Sequence, residues 1–204
     1  MIPSISMHRF EFIQRFAIGE ILDMGSHTGD GWLTPQPLGI HNDYKKSKII
    51  FADCDNHKII FNKDIKILQC FAENVPLPDK SVDTVCLGDI IEHVNDPDIV
   101  IIEAKRLSRN RILITVPNEY EWPKELNPFY KKEDYTRLHI DEFQRNNPVC
   151  INDDDFPHLY HRRWYNHETF EKFIKKHSIG MNYILFNLKY SGSFVNFAAM
   201  MWWK

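Results

Sequence analysis

The sequence predicts an α/β fold in which a parallel sheet is closed by a C-terminal antiparallel β-hairpin. Short apolar runs alternate with helical patterns through the first half of the chain, which is typical of a parallel sheet with covered faces. Two apolar runs near the C-terminus flank Ser191–Ser193 and indicate a hairpin. A chain of 204 residues is long enough for a single domain with a buried core, and we expect one domain over residues 1–204.

Seven apolar runs are predicted as the strands of this sheet. The parallel strands are predicted at Glu20–Met24, Lys48–Asp53, Ile65–Ala72, Val82–Leu87 and Arg111–Val116. The hairpin strands are predicted at Tyr183–Tyr190 and Phe194–Trp203.

Three segments carry helical spacing and are predicted as helices, at residues 5–16, 96–107 and 167–177. In the second helix, Ile99, Ile102 and Leu107 are predicted to form the apolar face. Pro97 lies in its first turn, where the missing amide hydrogen costs little. The basic run from Lys105 to Arg111 is predicted as a solvated helix end.

Composition limits the classes of function. Hydrophobic residues make up 43% and charged residues 26%, which are ordinary values for a globular protein. No apolar run approaches the roughly 20 residues that span a bilayer, and the N-terminus lacks the pattern of a signal peptide. We therefore expect a cytoplasmic protein with no membrane partner. A net charge of −3 gives no general attraction to nucleic acid.

The four cysteines are scattered and show no C-x-x-C spacing. Cys54, Cys70, Cys86 and Cys150 are predicted as buried thiols rather than as disulfides or zinc ligands.

The end of the first predicted strand carries the most specific signal. Asp23 closes the strand, and Gly25 and Gly29 follow in a turn where the backbone can approach a ligand closely. A dinucleotide is disfavoured, because Asp23 would repel its phosphates and the G-x-G-x-x-G pattern is absent. S-adenosylmethionine carries an ammonium and a sulfonium instead, and Asp23 and Glu20 would suit that positive end. The alternative is an ordinary junction between a strand and a turn.

Several segments, taken in order, resemble the class I S-adenosylmethionine-dependent methyltransferases. Besides Ile21–Gly29, the stretch Ala72–Asp83 is similar to the family's A-E-x-x-P-F-x-D-x-S-F-D segment, and Asp89–Pro97 is similar to its E-V-L-E-H-V-x-D-P. Glu103–Leu107 and Ile114–Asn118 resemble the following helix and fifth strand. The resemblance covers about residues 15–118 and implies a seven-stranded, Rossmann-like sheet with S-adenosyl-L-methionine as cofactor.

The resemblance also implies a set of cofactor-binding residues. The methionine end would be lined by Asp23, Gly25, Ser26 and Gly29. Asp53 would accept hydrogen bonds from the ribose, with Asp55 as a second candidate, and Asp89 would face the reactive end of the cofactor.

Among the departures from the family pattern, two concern predicted cofactor positions. His27 replaces the usual glycine and would either widen the turn or touch the cofactor. Phe71 stands where an acid often receives the adenine amino group, which leaves the Ala72 backbone and Glu73 as the nearest substitutes.

Glu92 and His93 admit three interpretations. His93 could act as a general base near the acceptor, since imidazole titrates close to neutral pH. Asp89, Glu92 and His93 could instead share one helix face as divalent-metal ligands, with His139 completing the site. The third interpretation, which we favour, is a structural pair satisfied by hydrogen bonds.

Residues 119–165 are rich in aromatic and acidic side chains and follow the fifth parallel strand, at the edge where α/β proteins bind ligands. We predict a lid or substrate-recognition insertion, with a segment packed on its own aromatics as the alternative. His158, His161 and His167, with Arg162 and Arg163 among them, are predicted as its polar rim rather than as a zinc site.

Together these observations predict an enzyme, a methyltransferase that acts on a small-molecule acceptor. Oxygen is the first choice of acceptor atom, and nitrogen or carbon is the alternative. Two other functions stay open: a metal-dependent RNA methyltransferase and a catalytically degenerate module that binds a cofactor or a partner.

Overall fold

The computed structural model describes residues 3–25, 49–54, 66–118, 163, 165–190 and 194–204. In these parts of the chain the helices are α1 (Arg9–Phe16), α2 (Pro97–Leu107) and α3 (His167–His177). The strands are β1 (Ser4–Ser6), β2 (Ile21–Met24), β3 (Ile49–Asp53), β4 (Lys66–Gln69), β5 (Val82–Gly88), β6 (Ser108–Pro117), β7 (Met181–Tyr190) and β8 (Phe194–Trp203).

These strands form one sheet in the order β1-β7-β8-β6-β5-β2-β3-β4. Strands β2 to β6 run parallel, whereas β8 is antiparallel to both β6 and β7. The predicted fold class, a parallel sheet closed by an antiparallel hairpin, is confirmed.

Alternate residues of the central strands enter two separate cores. On one face Leu22, Ile50 and Ile112 pack with residues of α2 and α3. On the other face Ile21, Phe51 and Leu113 pack with Met7, Phe12 and Ile13 at and around α1. This period of two is what a strand buried on both faces requires. A shift of one residue in any of these strands would exchange its two buried faces, so the two cores fix the strand register. The register in turn sets where the polar residues at the strand ends lie.

The start of the chain differs from the predicted helix over residues 5–16. Ser4–Ser6 form an additional parallel strand beside β7, and the backbone N–H of Met7 donates to the carbonyl of Lys189 at 3.0 Å. Helix α1 begins only at Arg9, because His8 caps it: its Nδ1 accepts from the Phe10 N–H at 3.2 Å. A helix was predicted correctly over Arg9–Phe16, although Phe12 and Ile13 are its buried residues; no local signal marks the residues before it that complete the edge of the sheet.

The apolar face predicted for α2 was wrong in part. Ile99 and Ile102 are exposed, Ile102 to 60%, whereas Val100, Ile101, Ala104 and Leu107 form the buried stripe. The helix carries isoleucine or valine on both sides, so periodicity alone cannot select the side that meets the sheet.

The basic run from Lys105 to Arg111 spans the last turn of α2 and the start of β6, and two of its arginines form ion pairs, so it is not simply a solvated helix end. Arg106 donates to both carboxylate oxygens of Glu103 at 2.7 Å and to Asp79 at 2.8 Å. Strand β6 begins at Ser108, and Arg109 within it pairs with Asp83 and Glu20 at 2.9 and 3.0 Å. These arginines join the loops at the N-terminal edge of the parallel strands.

Three of the cysteines lie in the described residues, and all three are free thiols. Cys86 is fully buried, and burial raises the pKa of its thiol, while Cys54 and Cys70 are half-buried. Cys150 lies outside the described residues. None of the helices in the described parts of the chain is both long and apolar enough to cross a membrane.

Candidate functional site

The chain reverses its direction of travel across the sheet between β2 and β5. From β2 it proceeds to β3 and β4 on one side, and then returns to β5 and β6 on the other. In open α/β sheets, ligands bind at the carboxyl ends of the strands beside such a switch point. Here that edge carries Asp23, Gly25, Asp53 and Asp89. Four predicted site residues thus lie at one edge of the sheet.

Asp23 and Gly25 form the centre of this edge. Asp23 is 9% exposed and pairs in register with Cys86 of β5. Gly25 has a φ of +72°, and its backbone N–H donates to the carbonyl of Ala52 at 2.7 Å. A Cβ on Gly25 would overlap the side chain of Ile90. Glycine is therefore required here both by the backbone conformation and by the close approach of the segment after β5.

Asp53, Ala72 and Glu73 extend the same edge toward β4. Asp53 is the last residue of β3, is half-buried, and its carbonyl accepts from the Cys70 N–H at 2.8 Å. That hydrogen bond holds the turn after β4 beside β3. Ala72 is buried in this turn and Glu73 is half-buried, whereas Phe71 is 70% exposed.

Asp89 links three parts of the fold directly after β5. It has a φ of +52°, which is uncommon for a residue other than glycine. Its carboxylate accepts from the Thr115 hydroxyl at 2.6 Å and from Asn196 Nδ2 at 3.4 Å, and it forms an ion pair with Arg9. The sequence analysis missed Arg9 and Asn196, since they lie far from Asp89 in the chain and carry no motif.

Glu92 and His93 lie in a turn, not on a helix. Residues 91–93 form this turn, with the His93 N–H donating to the Ile90 carbonyl at 2.9 Å. Helix α2 starts later, because Asp96 caps it and Pro97 opens it. The helix-face arrangement assumed for Asp89, Glu92 and His93 was therefore wrong. Glu92 is 1% exposed, and His93 is half-buried.

Arg163 fixes the position of that turn from the end of the predicted insertion. It is fully buried, and its guanidinium donates to the carbonyls of Ile91, Val94 and Asn95 at 2.7, 2.6 and 2.9 Å. The polar-rim assignment was wrong for this residue. In the sequence, the aromatic residues Trp164 and Tyr165 directly after Arg163 could have indicated that it is buried.

Tyr165 is buried beside the same turn and packs edge-on against Phe170 and Phe173 of α3. Burial raises the pKa of its hydroxyl well above the ordinary range, and the charge of Glu92 adds to that shift. Both Arg163 and Tyr165 therefore belong to the core.

Glu20 does not lie near the candidate cofactor site. It precedes β2, at the opposite edge of the sheet, where its carboxylate pairs with Arg109. The prediction that Glu20 would join Asp23 at the positive end of the cofactor was wrong, since the two acids lie at opposite ends of one strand.

Several predicted residues fall outside the described parts of the chain. These are Ser26, His27, Gly29, Asp55, His139, His158 and His161, together with the predicted insertion up to residue 162. Within the described residues, no group of three or more His, Cys, Asp or Glu side chains could hold a metal ion.

Comparison with known proteins finds one family model and several solved structures that are similar to this chain. The family model described as "Methyltransferase domain" matches residues 22–113, which include the acid-glycine junction after β2 and the segments through β5 and α2. The fold matches that of a SAM-dependent methyltransferase from Thermotoga maritima with a TM-score of 0.60 and 16% identity, over 96% of this chain and 88% of that one. Residues 22–113 therefore match the methyltransferase domain family, and the chain has the fold of the S-adenosylmethionine-dependent methyltransferases.

Two further solved structures share this methyltransferase fold. The YcgJ protein from Bacillus subtilis has a TM-score of 0.60 and 13% identity, over 97% of this chain and 98% of that one. Phosphoethanolamine N-methyltransferase 2 from Haemonchus contortus, in complex with phosphomonomethylethanolamine and S-adenosylhomocysteine, has a TM-score of 0.56 and 14% identity, over 95% of this chain and 51% of that one. No curated protein matches this chain.

Proposed function

We propose that this methyltransferase transfers the methyl group of S-adenosylmethionine to an oxygen of a small-molecule acceptor, with nitrogen or carbon as the alternative atom. The observation that carries the proposal is the buried Asp23 beside Gly25 with its positive φ, at the switch point of the sheet. An acid there suits a cationic ligand and repels phosphate. A net charge of −3 supports a small acceptor over RNA, whose phosphates need a basic surface.

The cofactor would lie along the edge formed by β2, β3 and β4. Asp23 and Gly25 would hold its methionine end, and Asp53 would accept hydrogen bonds from the ribose hydroxyls. The Ala72 backbone and Glu73 would lie at the adenine, and Asp89 at the sulfur. Ser26, His27, Gly29 and Asp55 complete the proposed set of cofactor residues.

Methyl transfer needs little chemistry from the protein. The bond from the methyl carbon to sulfur breaks as the bond to the acceptor forms, so the protein mainly aligns the two partners and excludes water. A base is needed only if the acceptor arrives protonated. His93, beside Glu92 in the turn after β5, is the proposed base in that case.

We further propose that residues 119–165 select the acceptor. They follow β6 in the chain, whose end lies at the ligand-binding edge, and Arg163 near their end donates to the Ile91 carbonyl in the turn after β5. The bound phosphomonomethylethanolamine in the Haemonchus contortus structure motivates small amines as a second class of acceptor to test besides phenols and catechols.

The proposal is tested by supplying S-adenosylmethionine with a labelled methyl group and a panel of phenols, catechols, small amines and transfer RNA. We expect label in a small product, with and without EDTA. Label found only in RNA, or lost on EDTA treatment and restored by magnesium, would establish the RNA enzyme instead. Tight cofactor binding without transfer to any acceptor in the panel would argue for a degenerate module.

A further inference from the structure

Arg9 places a positive charge at the ligand edge from the first turn of α1. Its Nη1 forms the ion pair with Asp89, although helix α1 covers a face of the sheet and Asp89 follows β5. The Arg9 side chain is 36% exposed and the Asp89 side chain 12%. About a third of the Arg9 side chain is therefore exposed, whereas the Asp89 side chain is mostly buried.

The position of the Asp89 carboxylate does not depend on Arg9 alone. The Thr115 hydroxyl donates to it at 2.6 Å, Asn196 reaches both of its oxygens at 3.4 Å, and the Asp89 N–H donates to the Thr115 carbonyl at 3.0 Å. These contacts come from β6 and β8. Thr115 and Asn196 are uncharged, so of these three partners only Arg9 brings a full positive charge to Asp89.

This ion pair lies beside the glycine turn. Ile90 directly follows Asp89, and its side chain occupies the space that a Cβ on Gly25 would need. Asp89 follows β5, which pairs with β2. It is therefore the neighbour in sequence of Ile90, the residue that contacts Gly25.

The substrate and product forms of the cofactor differ by one charge at this end. S-adenosylmethionine has a positive sulfonium, and S-adenosylhomocysteine has a neutral thioether. A carboxylate near the sulfur attracts the sulfonium but has little effect on the thioether. A guanidinium at a similar distance opposes that attraction, and unit charges several ångströms apart near a protein surface change affinity by several-fold.

We propose that Arg9 is a specificity-determining residue that compensates the charge of Asp89 and thereby reduces the preference of the site for the sulfonium over the thioether. The proposal rests on the proposed function in one respect, the placement of Asp89 at the sulfur end of the cofactor. Removal of Arg9 would leave the Asp89 carboxylate uncompensated by this arginine. The enzyme would then favour S-adenosylmethionine more strongly, and S-adenosylhomocysteine would inhibit it less.

The test compares the dissociation constants of S-adenosylmethionine and S-adenosylhomocysteine by calorimetry on the full chain. We divide the dissociation constant of S-adenosylhomocysteine by that of S-adenosylmethionine. In Arg9→Gln this ratio should rise by roughly three- to tenfold, in favour of S-adenosylmethionine. Arg9→Lys keeps the charge and should stay near the wild-type ratio. Asp89→Asn should lower the ratio, and asparagine tolerates the positive φ at this position. The double variant should return toward the wild-type ratio.

Arg15→Gln is the matched control, because it removes the same charge from the exposed last turn of the same helix. It should leave the ratio unchanged. Because the pair is partly exposed, the effect of Arg9→Gln should also shrink at about 0.5 M salt. A purely structural loss would weaken both ligands equally and would not respond to salt in this way.

The inference is overturned if Arg9→Gln binds both ligands with the wild-type ratio, or weakens both by the same factor. If Arg9→Gln does not fold, an unchanged or raised ratio in Asp89→Asn overturns it equally. A wild-type chain that binds neither ligand contradicts the proposed function instead, so the two failures are distinguishable.

Discussion

At the scale of single residues, three aspartates share the ligand edge but lie in different surroundings. Asp23 is buried within β2, Asp89 is bound by Arg9, Thr115 and Asn196, and Asp53 is half-buried at the end of β3. The positions of these acids could be predicted from the sequence, because each directly follows or ends a short apolar run. The partners of Asp89 could not, since Asn196 is 107 residues away in the chain.

Asp53→Ala should weaken binding of S-adenosylhomocysteine by roughly 1.5–3 kcal/mol, because two ribose hydroxyls would lose a charged hydrogen-bond acceptor. Calorimetry on the folded variant measures this directly. Asp79→Ala serves as control, since it removes an exposed carboxylate at the opposite edge, where Asp79 pairs with Arg106. A silent Asp53→Ala together with a damaging Asp55→Ala would transfer the ribose role to Asp55.

At the scale of the elements, helix and strand cores were predictable and their ends were less so. The helix α3 has the predicted bounds, because the capping box of Asn166 and Thr169 opens it and the basic residues of its last turn are followed by Ser178. The buried face of α2 was not predictable, because Ile99 and Ile102 are as apolar as the side chains that pack. Which face of α2 is buried depends on how the helix packs against the sheet in the folded protein.

Helices α2 and α3 are joined by a contact that depends on pH. His177 Nε2 lies 2.8 Å from the Asp98 carboxylate, which also pairs with Lys176. Burial lowers the pKa of His177 more than Asp98 raises it. Burial raises the pKa of Asp98, but hydrogen bonds from Lys176 and His177 outweigh that effect and leave its pKa below the ordinary value.

Acidification should therefore lower the free energy of unfolding in two steps. Because the folded pKa of His177 is depressed, its contribution is fully present above about pH 6.5 and is lost as the pH falls through the folded value. Asp98 also has a depressed pKa, so its contribution is lost below about pH 4. The free energy of unfolding, measured between pH 7 and 5, should fall less steeply in His177→Gln than in the wild type. His167→Gln, at the exposed start of the same helix, is the control. An equal slope in the wild type and in His177→Gln would contradict this account.

At the scale of the whole molecule, the sheet architecture follows from the sequence more fully than the site does. The alternation of apolar runs predicts the parallel sheet, and the run on either side of Ser191–Ser193 predicts the antiparallel pair that closes it. The strand β1 escaped prediction, since three residues with one apolar side chain carry no period. The part of the site built by contacts between distant segments, such as Arg163 on the turn after β5, depends on the completed fold.

The central claim is that the acid-glycine edge of this sheet binds S-adenosylmethionine rather than a dinucleotide. Titration of the wild-type chain with S-adenosylhomocysteine, and separately with NADH, in a calorimeter tests it most directly. We predict saturable binding of S-adenosylhomocysteine that is abolished in Asp23→Ala and retained in Glu20→Ala, whose side chain lies at the opposite edge. Binding of NADH with no binding of S-adenosylhomocysteine would contradict the account.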